Sequence, residues 1–144
     1  MIKKIAIGSD HAGFELKEEI IDYLNSKSIT IYNKGCFSSE RADYPDYAHA
    51  VANSILIGEA DLGILMCGTG NGINISANKH KGIRAALCWK PEVATLARQH
   101  NDANILTLPA RCIALEDALK CVDAFLSAEF EGGRHQLRIE KIEI

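Results

Sequence analysis

Hydrophobic residues follow two periods along this chain, as short apolar runs and as stretches in which they recur every three or four positions. The runs have the length of strands, and they predict five strands at residues 3–8, 28–33, 62–66, 83–88 and 104–108. The helical spacing lies between and after them, and it predicts helices from Ala12, from Pro45 to Gly58, over 73–79, from Pro91 and over 115–126. We expect a polar loop at 34–44 and a hinge with a short helical tail at about 132–144.

Two of these helices show a face that we expect to be buried. In the first helix the apolar positions share one face, with Lys17 elsewhere: Leu16, Ile20 and Leu24. In the helix from Pro91 the shared face also carries a histidine: Val93, Leu96, Ala97 and His100. Strands that alternate with helices predict an α/β fold, a doubly wound, Rossmann-like, five-stranded parallel sheet with helices on both faces.

Length and charge limit the function. The 144 residues predict a single domain over 1–144. The net charge of −3 provides no basic field for nucleic acid. The apolar N-terminal run is too short for a signal peptide, and no run is long enough to span a membrane. The odd number of cysteines, five, includes no C-x-x-C pair, which predicts reduced thiols and a cytoplasmic location.

The stretch from Ile64 to Asn74 is the strongest candidate for chemistry. An apolar strand ends in Cys67, and the glycines at 68, 70 and 72 lead into a helix. Such a turn presents backbone N–H groups to an anion, and we expect the helix N-terminus to lower the pKa of the Cys67 thiol. The alternative is a tight turn with no ligand. The turn lacks the spacing of a dinucleotide site, and the absence of G-K-[ST] excludes a P-loop.

Two further groups follow strands of the predicted sheet. Asp10 and His11 come after the first strand and Arg111 after the fifth, so all lie at the edge where ligands bind in parallel sheets. Asp10 by itself is better explained as a helix cap. Arg134 and Arg138 are four residues apart, on one helical face, and could hold a phosphate or form a solvated basic face.

The chain resembles ribose-5-phosphate isomerase of type B, in the family that also holds galactose-6-phosphate isomerase subunits. The resemblance covers nearly the whole chain. Its motifs are Gly-Ser-Asp-His-Ala-Gly at 8–13, Ser-Glu-Arg-Ala-Asp-Tyr-Pro at 39–45, Cys-Gly-Thr-Gly-Asn-Gly at 67–72 with Ala-Asn-Lys at 77–79, Arg-Gln-His-Asn-Asp at 98–102, and Glu-Gly-Gly-Arg-His-Gln at 131–136.

The resemblance implies interconversion of ribose 5-phosphate and ribulose 5-phosphate through a cis-enediolate, with no metal or organic cofactor. It implies four catalytic residues: Cys67 as the base, Thr69 at the enediolate oxygens, His100 opening the furanose and Asp10 assisting at the hydroxyls. The residues expected to bind substrate are Asp10, His11, Tyr44, Gly68, Thr69, Gly70, Asn71, Gly72, Asn101, Arg111, Arg134 and Arg138. Among them, His11 and the three arginines would hold the phosphate.

Some members of the family lack the thiol and use a glutamate from the turn. Ile73 occupies that position here, so the chain resembles the cysteine branch. Asn71, more familiar in the glutamate branch, and Ser76, where alanine is usual, depart from this pattern.

The predicted topology separates two of these residues. The helix carrying His100 runs antiparallel to the strands, so its end should lie at the edge of the sheet opposite to Cys67. We therefore expect His100 and Asn101 to enter the site from a neighbouring subunit, with a homodimer as the minimal active unit and a tetramer left open. The alternatives for function are an isomerase of a six-carbon sugar phosphate (allose 6-phosphate or galactose 6-phosphate), a phosphosugar-binding module and a thiol-based redox protein.

Overall fold

The computed structural model describes residues 3–144, so Met1 and Ile2, which begin the segment considered as a signal peptide, lie outside it. The strands are β1 (Lys4–Ser9), β2 (Thr30–Asn33), β3 (Leu62–Cys67), β4 (Ala85–Leu87) and β5 (Ile105–Pro109). The helices are α1 (Phe14–Asn25), α2 (Tyr44–Leu56), α3 (Asn71–Ala77), α4 (Pro91–Asn101), α5 (Leu115–Ser127) and α6 (Arg134–Glu140). A 3-10 turn at His11–Gly13 precedes α1.

All strand pairs are parallel, and the order across the sheet is β2-β1-β3-β5-β4. Alternate residues of the central strands face opposite layers. Ile64 and Met66 of β3 join the core with α1, α4 and α5, whereas Leu65 and Cys67 join the core with α2 and α3. The predicted five-stranded parallel sheet with helices on both faces is therefore confirmed.

The boundaries that differ from the predicted ones include those of strands, whose ends are set by pairing with the neighbouring strand. β3 and β5 each run one residue beyond the predicted end, because Cys67 pairs with Pro109. β4 is shorter than the predicted 83–88, and it pairs only with β5, at the edge of the sheet. The predicted tail at 132–144 contains α6.

Two predictions about helix faces are wrong. Lys17 is fully buried, and its ammonium donates to Glu18 Oε1 at 2.8 Å and to Asn33 Oδ1 at 3.0 Å. In α4 the predicted apolar positions Val93 and Leu96 are 44% and 45% exposed. The buried residues of α4 are Ala94 and Ala97, whose small side chains let this helix approach its neighbours closely.

Candidate active site

The carboxyl ends of β1, β3 and β5 meet at the edge where the chain changes direction across the sheet. β1 lies between β2 and β3. The connection from β1 to β2 therefore leads to one side of β1, and the connection from β2 to β3 crosses to the other side. Ser9 lies opposite Met66, and Cys67 lies opposite Pro109. The loops that follow these strands, beginning at Asp10, Gly68 and Ala110, are therefore neighbours. Ligands of open parallel sheets bind at such a point.

Each glycine of the turn after β3 leaves room for a different neighbouring side chain. Gly70 has φ +81°, and a Cβ there would lie 2.4 Å from Leu87 Cδ1. A Cβ on Gly72 would lie 2.5 Å from Cζ of Tyr44, so the Tyr44 ring covers the turn. A Cβ on Gly68 would lie 3.3 Å from Nη1 of Arg111. The glycines thus allow Tyr44 and Arg111 to approach the backbone of the turn.

Cys67 lies at the centre of this edge, 5% exposed. Burial raises the pKa of its thiol, the nearby Asp10 carboxylate raises it further, and hydrogen bonds from the backbone N–H groups of Ile73, Gly70 and Gly72 oppose the rise. The prediction that the helix N-terminus lowers this pKa is wrong, because desolvation outweighs the amides. The amide groups still converge on the sulfur, where they can stabilise a negative charge.

Asp10 and His11 are both held by backbone contacts. Asp10 is buried, and its Oδ1 accepts the N–H of Gly13 at 3.1 Å, so Asp10 caps the 3-10 turn that leads into α1, whereas the N-cap of α1 itself is Gly13. His11 Nδ1 lies 3.1 Å from the carbonyl oxygen of Ala42 and 3.2 Å from the Ala42 backbone nitrogen. In either tautomer Nδ1 therefore makes a backbone hydrogen bond with Ala42, which orients the ring.

Arg111 completes this first group. Its backbone N–H donates to the Gly68 carbonyl at 2.8 Å, and the N–H of Ala110 donates to the Cys67 carbonyl at 2.9 Å. Its guanidinium is exposed beside the turn. The structure thus brings together ten predicted residues: Asp10, His11, Tyr44, Cys67, Gly68, Thr69, Gly70, Asn71, Gly72 and Arg111.

The other four predicted residues lie at the opposite edge, as the topology predicts for the end of α4. Arg84 directly precedes β4, and its Nε donates to the Asn101 carbonyl at 2.9 Å, which places the end of α4 beside the start of the sheet. α6 packs on this end, with its His135 ring stacked on His100 at a centroid distance of 4.2 Å. α6 also carries the remaining two residues, Arg134 and Arg138, both exposed.

A cluster around His100 was missed by sequence reasoning. His100 Nε2 lies 3.6 Å from Glu131 Oε1, and His135 Nε2 lies 3.7 Å from the same oxygen. Burial lowers the pKa of His135, and the charges of His100 and Arg134 lower it further. The spacing of Glu131 and His135, four residues apart, was the available signal.

The turn that ends α4 is fixed by Asp102. Asp102 takes a left-handed conformation with φ +44°. Its Oδ2 accepts from Arg84 Nη2 at 3.2 Å, and its Oδ1 accepts from Arg98 Nη1 at 3.0 Å. These contacts fix the backbone next to His100 and Asn101.

Among residues 3–144, no helix combines the length and the apolarity that crossing a bilayer requires. The five cysteines are all free thiols in the structure, and Cys112 is exposed.

Comparison with known proteins gives a consistent result. Ribose-5-phosphate isomerase B of Escherichia coli is 54% identical over 141 residues, covering 98% of this chain and 95% of the relative. A ribose 5-phosphate isomerase structure from Thermotoga maritima superposes with a TM-score of 0.97 at 58% identity, covering 98% of this chain and 97% of that one. The Mycoplasma genitalium enzyme with bound ribulose-5-phosphate has a TM-score of 0.91 at 46% identity, covering 96% and 93%. The model of the Ribose/Galactose Isomerase family matches residues 5–142, and the chain belongs to this family.

Proposed function

We propose that this protein interconverts D-ribose 5-phosphate and D-ribulose 5-phosphate through a cis-enediolate. The observation that carries the proposal is the thiol of Cys67 at the ligand-binding edge of the sheet, which accepts hydrogen bonds from three backbone N–H groups. The names of the relatives from Escherichia coli and Thermotoga maritima, and the ribulose-5-phosphate bound to the Mycoplasma genitalium enzyme, support this choice of substrate.

In this mechanism Cys67 moves a proton between C2 and C1 of the open-chain sugar. A positioned general base contributes roughly 10²–10⁴-fold to such a step. Negative charge develops on the two enediolate oxygens, where Thr69 and the amides of residues 70–72 would receive it. By mutational precedent one preorganised donor is worth roughly 3–4 kcal/mol. Because burial raises the Cys67 pKa, the thiolate fraction should increase with pH, and kcat/KM should rise on the alkaline side.

The phosphate would be held from two sides. His11 and Arg111 lie at the same edge as Cys67, whereas Arg134 and Arg138 lie at the opposite edge with His100. We therefore propose that a complete site joins the first group of one chain to His100, Asn101, Arg134 and Arg138 of a second copy.

A surface of the chain supports this homodimer. Trp89, Val93 and Leu96 form an apolar stripe on and beside α4, and they are 51%, 44% and 45% exposed. The stripe adjoins β4, which has a paired neighbour on one side only. Exposed apolar side chains beside an open sheet edge favour association with another chain.

The first test is the turnover of ribose 5-phosphate by wild-type protein and by Cys67→Ala, with a chelator present and allose 6-phosphate as the competing substrate. The wild type should convert ribose 5-phosphate, and Cys67→Ala should still bind it but lose turnover. Conversion of allose 6-phosphate alone would favour the six-carbon isomerase. Binding without conversion of either sugar would favour a phosphosugar-binding module.

The second test separates a shared site from a site within one chain. Cys67→Ala and His100→Asn should each be inactive. When equal amounts are mixed and the subunits exchange, half of the dimers are hybrids with one intact site of two, so activity should recover to about a quarter of wild type. No recovery, once exchange is demonstrated with a tagged subunit, would contradict the shared site.

A further inference from the structure

We propose that His100, Glu131 and His135 form a binding site for a divalent transition-metal ion of the zinc class. The ligand atoms of these residues all lie within 4.8 Å of one another. Two imidazoles and one carboxylate are the donor set that Zn²⁺ accepts when a fourth position is left to water. The site goes beyond the proposed isomerase reaction, which requires no metal.

The distances are close to those of a bound ion. Tetrahedral Zn²⁺ with bonds of 2.0–2.1 Å places its ligand atoms about 3.4 Å apart. The Nε2 atoms of His100 and His135 are already 3.6 Å and 3.7 Å from Glu131 Oε1. The two rings are nearly parallel, with an interplanar angle of 13°, so their lone pairs must tilt towards each other. The side chain of His100 is 36% exposed, so solvent rather than protein borders part of its ring.

The burial of His135 and the lack of a hydrogen-bond partner for its Nε2 favour binding of a metal ion. This residue is 5% exposed, and its buried Nε2 has no hydrogen-bond partner in the structure. A buried nitrogen without a partner gains a bond when an ion arrives.

The surrounding charges set a limit on affinity. Arg134 and Arg138 act on His135 electrostatically and oppose a cation, whereas Glu131 offsets one positive charge. Both arginines are exposed, so water and salt screen them more than they screen the buried imidazole. We therefore expect reversible binding of Zn²⁺, removable by a chelator.

The consequence for catalysis rests on the proposed function, in which His100 opens the sugar ring. An ion on Nε2 of His100 occupies the nitrogen that would carry the proton to the ring oxygen. Zn²⁺ should therefore inhibit turnover of the furanose substrate, and a chelator should restore it.

The test is calorimetric titration of the chelator-stripped full chain with Zn²⁺, supported by the visible spectrum of the Co²⁺ complex. Glu131→Gln, an exposed substitution, should weaken binding at least tenfold, and His135→Gln should abolish it. His80→Gln is the matched control. His49 Nδ1 and His80 Nε2 lie 2.7 Å apart, a direct hydrogen bond with no room for an ion between them, so this variant should bind Zn²⁺ like the wild type.

No saturable binding by the wild type would overturn the proposal. The same conclusion would follow from unchanged binding in Glu131→Gln, or from loss of binding in His80→Gln. If His135→Gln fails to fold, as judged by circular dichroism, Glu131→Gln decides the matter. A protein that binds Zn²⁺ but isomerises no sugar would retain the metal site and overturn the proposed function. Binding without inhibition of an active enzyme would overturn only the predicted inhibition.

Discussion

Alanine at Gly70 should destabilise the fold strongly and alanine at Gly72 should not, although the two glycines belong to one turn. At Gly70 an added Cβ would clash with a neighbouring side chain and press on the backbone, since it would lie 2.4 Å from Leu87 Cδ1 and 3.2 Å from the Leu108 carbonyl oxygen. Gly70 also has φ +81°, in the left-handed region. A non-glycine residue in the left-handed region costs roughly 1–2 kcal/mol, and overpacking of a core adds roughly 1–3 kcal/mol. We expect Gly70→Ala to lower the free energy of unfolding by about 2–5 kcal/mol.

At Gly72 the three atoms nearest to the added Cβ are all carbons of the Tyr44 ring, at 2.5–2.9 Å. Tyr44 is 40% exposed, so its ring can rotate into solvent. Gly72 lies in the first turn of α3, where alanine is up to about 1 kcal/mol better than glycine. Gly72→Ala should therefore leave stability within about 1 kcal/mol of wild type. It should raise KM for ribose 5-phosphate, because the ring that covers the turn is displaced.

Thermal unfolding and steady-state kinetics of both variants test this difference. At this chain length 1 kcal/mol shifts Tm by about 4 °C, so Gly70→Ala should melt about 8–20 °C lower and Gly72→Ala should melt near the wild type. Tyr44→Ala is the control for mechanism. If Gly72→Ala acts through the ring, combining it with Tyr44→Ala should add nothing further to KM. Additive effects on KM, or equal losses of Tm in the two glycine variants, would refute the reasoning.

Three further predictions concern stability. Burial raises the pKa of Cys88 to about 12 from an ordinary 9.0, so the unfolded chain ionises first as pH rises. The stabilisation present below pH 9 is therefore lost progressively towards pH 12, and the loss at pH 10 should be about 1.4 kcal/mol. Urea unfolding at pH 8 and pH 10 measures this loss, which should be smaller in Cys88→Ala than in the wild type. Asp102→Ala should cost about 1–2 kcal/mol in urea unfolding, through the contacts with Arg84 and Arg98, and Asp102→Gly should cost less because φ is +44°. Lys17→Ala should cost about 2–4 kcal/mol by the same measurement, since it leaves a cavity in the core, and a loss below 1 kcal/mol would contradict this.

The sequence predicted the sheet because each central strand is a short apolar run followed by a turn. β3 is buried along its whole length, so its apolar residues are continuous and easy to recognise. The same logic failed for α4, where Val93 and Leu96 are exposed and alanines face the core. Hydrophobic periodicity cannot distinguish an apolar face that packs on the sheet from one that stays exposed on the chain. Lys17 was missed for a related reason, because its burial depends on Asn33 in β2.

The part of the site at the edge with Cys67 was predictable from topology alone. In a parallel sheet every loop that follows a strand emerges at the same edge, so Asp10, Cys67 and Arg111 become neighbours whatever the helices do. Their electrostatics were not predictable: the Cys67 pKa depends on how closely helices cover the strand end, which no local motif states.

The same topological rule explains why His100 is apart from Cys67. A crossover helix must run antiparallel to its strands, so its last turn returns to the edge where the next strand begins. His100 lies in the last turn of α4, and α6 packs on that turn through the stacked ring of His135. If Cys67 and His100 act on one substrate molecule, a second chain must supply one of them. The residues at the end of α4 and on α6 then contribute to the active site of the partner chain.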